Sequence, residues 1–374
     1  MLIIQNLFLL PSNLNSQRLS PSLAMSTPTN LIDFLVNQAN GVKGLADLNL
    51  PNVPHQYIQP LEGRLHSTKI VPHESIPIID FTNWDDPDVQ DSIFDAATKW
   101  GFFQIVNHGI PIKVFDDLKA AVHRFFELPA EEKKNLKENS PPDVVRLTTS
   151  FSPHAESVLE WKDYLQLVYA SEEKIRAYWP AICKDEALEY MKHSEALIRK
   201  LLKVLLKKLN VEVLDKAREH TLMGAMVLSF NYYPACPEPE FVAGVAPHSD
   251  VTSITVLLQD DIGGLYVRGS DADTWIYVPP VEGALVINIG DALQIMSNER
   301  YKSIEHQVVP NRSKTRISIP IFISPAFDAT IGPLPEVLEN GDEPKYKQVA
   351  FSDYFNYFFS KGHDGKKTIE FAMI

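Results

Sequence analysis

Residues 226–267 read MVLSFNYYPACPEPEFVAGVAPHSDVTSITVLLQDDIGGLYV, and this stretch decides the fold class. It alternates short runs of apolar, β-branched and aromatic residues with segments rich in Pro, Gly and Asp. Such runs predict short strands, and their even spacing indicates an antiparallel sandwich or barrel. The same texture continues to residue 324, and the predicted strands are 226–233, 253–258, 264–267, 275–278, 284–289, 306–309 and 317–324. We therefore predict a double-stranded β-helix, or jelly roll, in which two sheets enclose a cavity.

The sequence before residue 221 has mainly helical spacing. In residues 86–100, Val89, Ile93 and Ala97 fall on one face of a helix, and residues 112–128 and 185–209 have the same periodicity. Only residues 75–80 and 101–106 were interpreted as strands in this half. The predicted fold class is therefore mostly β with flanking α: a jelly-roll core with a helical N-terminal region.

Composition limits the classes of protein to which the chain can belong. Its 374 residues, 45% of them hydrophobic, are enough to bury a large core. A formal net charge of −13 disfavours a nucleic-acid partner, because such proteins normally present a basic face. The chain has no apolar run that approaches the roughly 20 residues of a membrane-spanning helix. Because it has only two cysteines, Cys183 and Cys236, we predict reduced thiols and a cytoplasmic protein. We also expect a monomer.

Three residues form a candidate metal site. His248 and Asp250 are two positions apart, and residues at that spacing in extended backbone face the same side. His306 lies on a later predicted strand, which a jelly roll can place beside the first. Two imidazoles and one carboxylate form the facial triad that holds non-haem Fe(II) and leaves coordination positions open. The other nine histidines, including His363, are interpreted as structural.

Arg316 and Ser318 form a candidate clamp for a co-substrate. They too are two positions apart in a predicted strand and follow His306 closely. A guanidinium that points into a barrel needs an anionic partner, and it binds a carboxylate through two hydrogen bonds. Tyr233 could offer its hydroxyl to the same carboxylate. The pair beside an iron site indicates an oxygenase that consumes 2-oxoglutarate to activate O₂.

From about residue 31 to its end, the chain resembles the plant 2-oxoglutarate/Fe(II)-dependent dioxygenases of specialised metabolism. The motifs that carry this resemblance are WGFFQIVNHG (100–109), NYYP (231–234), HSD (248–250), GGL (263–265), NIGD (288–291) and RIS (316–318). Within the family it is most similar to feruloyl-CoA ortho-hydroxylases and p-coumaroyl-CoA 2′-hydroxylases, through GVKGL (41–45), QYIQPLE (56–62), TSFSP (149–153), EWKDY (160–164) and HDGKK (363–367). One departure is Ala246-Pro247, where those hydroxylases are expected to have Gly-Arg.

The resemblance implies a role for each candidate residue. It implies iron on His248, Asp250 and His306, and the distal carboxylate of 2-oxoglutarate on Arg316 and Ser318 with help from Tyr233. O₂ is the other co-substrate, and ascorbate is expected in a supporting role. Phe322 is expected to lie against an aromatic substrate. Arg146, Lys162 and Arg268 are candidates to bind the phosphates of coenzyme A, because an acidic protein needs a local basic patch for a polyanion.

The change of pattern along the chain predicts four regions: a disordered extension over 1–30, a mostly helical dioxygenase region over 31–215, a catalytic jelly roll over 221–335 and a helical C-terminal segment over 336–374. For residues 1–24, the alternatives are an organelle targeting segment and a translation start at Met25.

The expected reaction is hydroxylation of a hydroxycinnamoyl-CoA ortho to its side chain, which leads to coumarins such as scopoletin or umbelliferone. The alternative within the family is a scopoletin 8-hydroxylase or another dioxygenase with a phenolic substrate. Outside the family, two His and one Asp also suit a zinc hydrolase, which would leave Arg316 and Ser318 without a role. The remaining alternative is a jelly-roll binding or storage protein without enzymatic activity.

Overall fold

The computed structural model describes residues 27–374 except 155, 270–272, 340, 362 and 364. The predicted disordered extension therefore lies almost wholly outside the described residues. The described strands are β1 Ile78–Asp80, β2 Phe102–Val106, β3 Val145–Thr149, β4 Asp163–Val168, β5 Ala225–Tyr233, β6 Val245–His248, β7 Ile254–Gln259, β8 Leu265–Arg268, β9 Trp275–Tyr277, β10 Leu285–Ile289, β11 His306–Val308, β12 Arg316–Ser324, β13 Thr330–Ile331 and β14 Val349–Ala350.

Two sheets form the centre of the molecule. The large sheet has eight strands in the order β1-β2-β10-β7-β12-β5-β4-β3, and the small sheet has four in the order β6-β11-β8-β9. Their pairs are antiparallel except β1 with β2. Tyr233 and Val286 of the large sheet share one apolar cluster with Val245, Leu265 and Val308 of the small sheet. The sheets therefore pack face to face, and the predicted jelly-roll core is confirmed.

All seven strands predicted after residue 221 are present, but the sequence did not reveal the whole sheet. Strand β6 was missed because it has only four residues and contains Pro247, which lacks a backbone N–H. Strands β3 and β4 were also missed in the half that reads as mainly helical. They extend the large sheet, since β4 pairs with β5 from Asp163↔Tyr232 to Val168↔Val227.

Helices α2, α3 and α6 pack in one apolar cluster with strands of the large sheet. The described helices are α1 Gly41–Asp47, α2 Pro87–Lys99, α3 Ile112–Phe126, α4 Ala130–Asn139, α5 Glu172–Tyr178, α6 Lys184–Lys207, α7 Lys216–Met223, α8 Asp291–Met296, α9 Pro335–Leu338 and α10 Phe351–Lys361. The predicted helices 86–100, 112–128 and 185–209 correspond to α2, α3 and α6. Helix α2 begins where the Asp86 side chain accepts a hydrogen bond from Asp88 N, with proline at the first helical position. In the described part of the chain, no helix has both the length and the apolarity needed to cross a bilayer.

The C-terminal segment returns to the small sheet. After α10 the backbone N–H of Gly365 donates to Pro247 O at 3.0 Å, and Gly365 forms a parallel bridge with His248. Gly365 has φ +60°, and a Cβ there would lie 2.4 Å from Glu305 Oε1. Only glycine fits this crossing without strain. The crossing places the end of the chain directly beside the candidate metal site.

Candidate metal and co-substrate site

The three predicted metal ligands converge at the edge of the small sheet. His248 ends β6 and His306 begins β11, and the antiparallel register pairs the two residues. Asp250 Oδ1 lies 3.5 Å from His248 Nε2 and 3.7 Å from His306 Nε2. Metal–ligand bonds of roughly 2.0–2.2 Å place neighbouring ligand atoms about 3–4 Å apart, so one ion fits between the three atoms. Among the described residues, this is the one group of three or more His, Cys, Asp or Glu with such geometry.

His248 and Asp250 lie at the end of a strand. β6 ends at His248, and Asp250 lies two residues beyond it. Their side chains face the same point, with Asp250 Oδ1 close to His248 Nε2. The backbone of Asp250 is held by the start of α8, where Asp291 N donates to Asp250 O at 2.7 Å. The NIGD segment therefore fixes the chain beside the carboxylate.

Hydrogen bonds orient each candidate ligand. The Nδ1 atoms of His248 and His306 lie 2.9 Å and 3.4 Å from the backbone oxygens of Ala246 and Ile304. A carbonyl only accepts, so Nδ1 carries the proton and Nε2 keeps its lone pair. Asp250 Oδ2 accepts from Thr255 Oγ1 at 2.6 Å and from Asn288 Nδ2 at 2.8 Å. This leaves Oδ1 to face the two imidazoles.

The pKa directions favour metal binding. Burial lowers the pKa of both imidazoles, and the pKa of His306 falls to about 4. Burial acts the other way on Asp250, but His306, His248 and the Thr255 hydroxyl outweigh it and hold the pKa of that carboxyl below its usual range. At neutral pH the site therefore presents two neutral imidazoles and one carboxylate, the protonation states in which these groups bind a metal.

The candidate clamp is a buried cation with unused donors. Arg316 is 0% exposed, and its Nη2 donates to Gln259 Oε1 at 3.3 Å. Within the described part of the chain, Nε and Nη1 have no hydrogen-bond partner. The Tyr233 ring lies 5.0 Å from the guanidinium carbon. Such a group is costly to bury unless an anion occupies its free side, so it fits the carboxylate of a co-substrate.

Arg316 and Ser318 both face the cavity, as their spacing on β12 predicts. The Ser318 hydroxyl, which accepts from Asn231 Nδ2 at 3.4 Å, can also donate to an anion.

One cavity of about 620 Å³ joins the two sites. Its lining includes the three candidate ligands, the clamp residues Tyr233, Arg316 and Ser318, and also Arg146, Lys162 and Phe322. A second cavity of about 640 Å³ lies between residues 70–75 and the small sheet and contains none of them. We place the chemistry in the first cavity because it is the one that holds both a metal-binding group and a buried cation.

The residues predicted to contact substrate have different surroundings. Phe322 is half-buried on β12 in the cavity lining. Arg146 is exposed where β3 borders the same cavity. Lys162 is buried there, with Nζ 2.9 Å from Glu160 Oε2, so its charge is already paired. Arg268 is outside the cavity lining, paired with Glu305 at 2.9 Å and stacked on Trp275.

Several residues of this site were not predicted from the sequence. His363, interpreted as structural, lines the cavity and stacks on His248 with ring centroids 4.3 Å apart. Its Nδ1 lies 2.6 Å from Glu160 Oε1. The only signal was indirect: Glu160 and His363 open two of the motifs, EWKDY and HDGKK, that carry the resemblance. Thr255 and Asn288 hold Asp250. Asn288 belongs to the NIGD motif, whereas no sequence motif pointed to Thr255.

Comparison with known families agrees with this geometry. Residues 224–325 match the 2OG-Fe(II) oxygenase superfamily, and residues 76–186 match the N-terminal region of non-haem dioxygenases in morphine synthesis. A crystal structure of JOX2 in complex with 2OG, Fe and JA superposes with a TM-score of 0.77 at 33% identity. That match covers 89% of this chain and 97% of the other.

The similarity to characterised plant proteins extends over nearly the whole chain. A feruloyl CoA ortho-hydroxylase of Ipomoea batatas is 55% identical over 95% of this chain and 99% of its own. One from Arabidopsis thaliana is 53% identical, with 93% and 97% covered. A bi-functional coumaroyl CoA and feruloyl CoA ortho-hydroxylase of Ruta graveolens is 54% identical, with 91% and 94% covered.

Proposed function

Because this chain belongs to the 2OG-Fe(II) oxygenase superfamily, we propose that it hydroxylates the ring of feruloyl-CoA or p-coumaroyl-CoA ortho to the propenoyl side chain. The observation that carries this proposal is the identity of 53% to 55% with ortho-hydroxylases from three plants. Membership of the superfamily excludes the zinc hydrolase and the non-enzymatic binding protein. The cofactor is Fe(II), and the co-substrate is 2-oxoglutarate.

We assign iron to His248, Asp250 and His306. The assignment is supported by the two Nε2 lone pairs and the Asp250 Oδ1 that face one point. Three ligands leave coordination positions for a keto acid and O₂. Thr255 and Asn288 keep the carboxylate in place, so the site is preorganised before metal enters.

We assign the distal carboxylate of 2-oxoglutarate to Arg316 and Ser318. The support is the two guanidinium nitrogens without a partner among the described residues, in the same cavity as the metal ligands. A carboxylate bound there would use the two donors of the buried guanidinium that have no partner among the described residues. Tyr233 packs its ring on the guanidinium and restricts its orientation.

Iron with 2-oxoglutarate and O₂ supplies the oxidising chemistry, with succinate and CO₂ as by-products. The protein residues bind, orient and exclude water. Apolar surface dominates the cavity walls beside the metal ligands, including Phe322, Phe151 and Leu257. These residues would hold the cinnamoyl ring over the ligands. The product, an ortho-hydroxycinnamoyl-CoA, can isomerise and close to a coumarin: scopoletin from feruloyl-CoA and umbelliferone from p-coumaroyl-CoA.

The coenzyme A portion must extend out of the cavity past its exposed border. Arg146 is the cavity-lining arginine at that border, and we propose that it meets a phosphate. Lys162 is a weaker candidate, because Glu160 already neutralises it.

The compartment and oligomeric state stay predictions: we propose a cytoplasmic monomer that acts on a small molecule, with ascorbate as a supporting additive.

A free coumarin such as scopoletin is the second candidate substrate. Ala246-Pro247 favours it, because the expected arginine beside the iron ligand His248 is replaced by an apolar residue.

A direct test incubates the enzyme with Fe(II), 2-oxoglutarate and a panel of feruloyl-CoA, p-coumaroyl-CoA, free ferulate and scopoletin. Mass spectrometry should detect one added oxygen on a hydroxycinnamoyl-CoA. Turnover of scopoletin alone would overturn the proposal in favour of the second candidate.

A further inference from the structure

The cavity wall contains a buried ionic network that the proposed reaction does not use. Glu160 is 1% exposed, and its Oε1 accepts from Ala246 N at 2.8 Å and from His363 Nδ1 at 2.6 Å. Its other oxygen lies 2.9 Å from Lys162 Nζ. Burial would raise the pKa of Glu160, but His363 and Lys162 outweigh it and lower that pKa. The carboxylate is therefore charged and joins three separate segments of the chain.

Two of those segments meet at the metal site. Ala246 is two residues before His248, so one carboxylate oxygen binds the ligand-bearing strand and the C-terminal segment together. His363 also stacks on His248, with the ring planes 21° apart. The backbone adds a parallel contact from Gly365 to Pro247.

The same C-terminal segment carries the aromatic wall of the cavity. Phe355, Phe358 and Phe359 of α10 line it together with Phe151. The rings of Phe151 and Phe359 are stacked at 5.0 Å and 12°, and Phe151 also contacts His363 at 4.1 Å. A shift of residues 351–374 would therefore move the wall relative to the iron.

We propose that the Glu160–His363 contact is a latch that sets the distance between this aromatic wall and the metal ligands, with His363 as a positioning residue. The inference rests on the proposed function, since the wall matters only for a ring that enters this cavity. A buried ionic network is seldom more stable than well-packed apolar residues, and its benefit is a defined geometry. The defined geometry here is the alignment of the ring with the site of oxidation.

Two substitutions of His363 distinguish the effect of its hydrogen bond to Glu160 from the effect of its ring packing. His363→Asn retains an amide donor near the position of Nδ1 but removes the ring, whereas His363→Phe retains a ring but removes the donor. The holoenzyme with Fe(II) and 2-oxoglutarate is used, with two readouts: hydrogen exchange of peptides spanning residues 351–374, and the ratio of succinate to hydroxylated product. His193→Phe is the matched control, because His193 pairs with Glu189 on the half-exposed face of α6.

We expect His363→Phe to raise both the exchange rate and the succinate-to-product ratio by about tenfold, the effect of one lost hydrogen bond to a charged group. His363→Asn should stay within about twofold of the parent protein on both readouts, by the same reasoning. Equal behaviour of the two variants, or unchanged exchange in His363→Phe, would overturn the latch. The exchange readout needs no organic substrate, so it decides on the latch even if every acyl-CoA in the panel fails and the proposed function falls.

Discussion

The floor and the wall of the cavity are built in different ways. The floor consists of His248, Asp250, His306 and Arg316, which the two sheets and their adjoining turn bring together. The wall consists of Phe151, Phe355, Phe358, Phe359 and His363, and the contact between His363 and Glu160 joins residues 203 positions apart. The floor is complete within the jelly roll, whereas the wall depends on the docking of the chain end.

This difference indicates that the floor and the wall bind different parts of the reacting complex. The floor fits a metal and a keto acid, which every 2-oxoglutarate-dependent enzyme shares. The wall is apolar and aromatic and fits the phenolic ring. Variants of the floor should therefore change iron and 2-oxoglutarate binding for every substrate, and variants of the wall should change only the use of the ring.

Asp250→Ala should have the largest effect. It removes the one anionic ligand and leaves Thr255 and Asn288 without their acceptor. We expect iron content near zero and turnover reduced by at least about 1000-fold, since a missing ligand costs several kcal/mol. Metal analysis and succinate formation measure both. Asp117→Ala on the exposed side of α3 is the control, and iron retained in Asp250→Ala would break the assignment of the floor.

Arg316→Met should weaken 2-oxoglutarate binding without affecting the three metal ligands. Loss of one charged hydrogen-bonding group of about 2 kcal/mol raises the KM for 2-oxoglutarate about 30-fold. Ligand-free stability should not fall, because a buried cation with unused donors is replaced by an apolar side chain of similar length. Steady-state kinetics with varied 2-oxoglutarate gives the KM, and thermal melting without 2-oxoglutarate gives the stability. Arg268→Met is the control, and an unchanged KM would contradict the clamp.

Thr255→Val tests the support beneath the metal ligands. The change removes the 2.6 Å hydrogen bond to Asp250 Oδ2 but keeps the shape of the side chain. We expect the affinity for Fe(II) to fall about 10- to 100-fold, with the KM for 2-oxoglutarate at saturating iron nearly unchanged. Iron titration of the metal-free protein is the measurement. An equal loss in both parameters would mean that Thr255 supports the fold in general.

Phe322→Leu should have the smallest effect on activity, and that effect should be confined to the KM for the acyl-CoA. If the ring packs against the cinnamoyl group, its loss costs about 1 kcal/mol and raises the KM for the acyl-CoA about fivefold. The KM for 2-oxoglutarate should stay constant. Phe94→Leu is the control, because Phe94 packs on Tyr301 and does not line the cavity. Equal changes in the two KM values would contradict a contact between Phe322 and the substrate ring.

The contrast between floor and wall also explains what the sequence could predict. Arg316 and Ser318 are two apart in one strand, and strand geometry alone turns both into the cavity. The sequence also separated His248 and His306 from the other histidines by the residues around them. Both predictions depend only on residues that are near one another in the sequence.

The wall could not be predicted in the same way. His363 is isolated in sequence, and its place in the cavity depends on the segment after α10, where Gly365 pairs with His248 of β6. Strands β3 and β4 were missed for a similar reason, because their strand character depends on pairing with β5 rather than on a local pattern. Even in the floor, the carboxylate of Asp250 is oriented by Thr255 and Asn288, contacts that periodicity does not describe.

An anaerobic titration with Fe(II) followed by 2-oxoglutarate tests the central claim most directly. The claim is that one cavity binds the metal through His248, Asp250 and His306 and the keto acid through Arg316. We expect a visible charge-transfer band that requires both additions, is absent in Asp250→Ala, and needs a higher 2-oxoglutarate concentration in Arg316→Met. A band of full intensity in Asp250→Ala, or the same 2-oxoglutarate dependence in Arg316→Met, would contradict it.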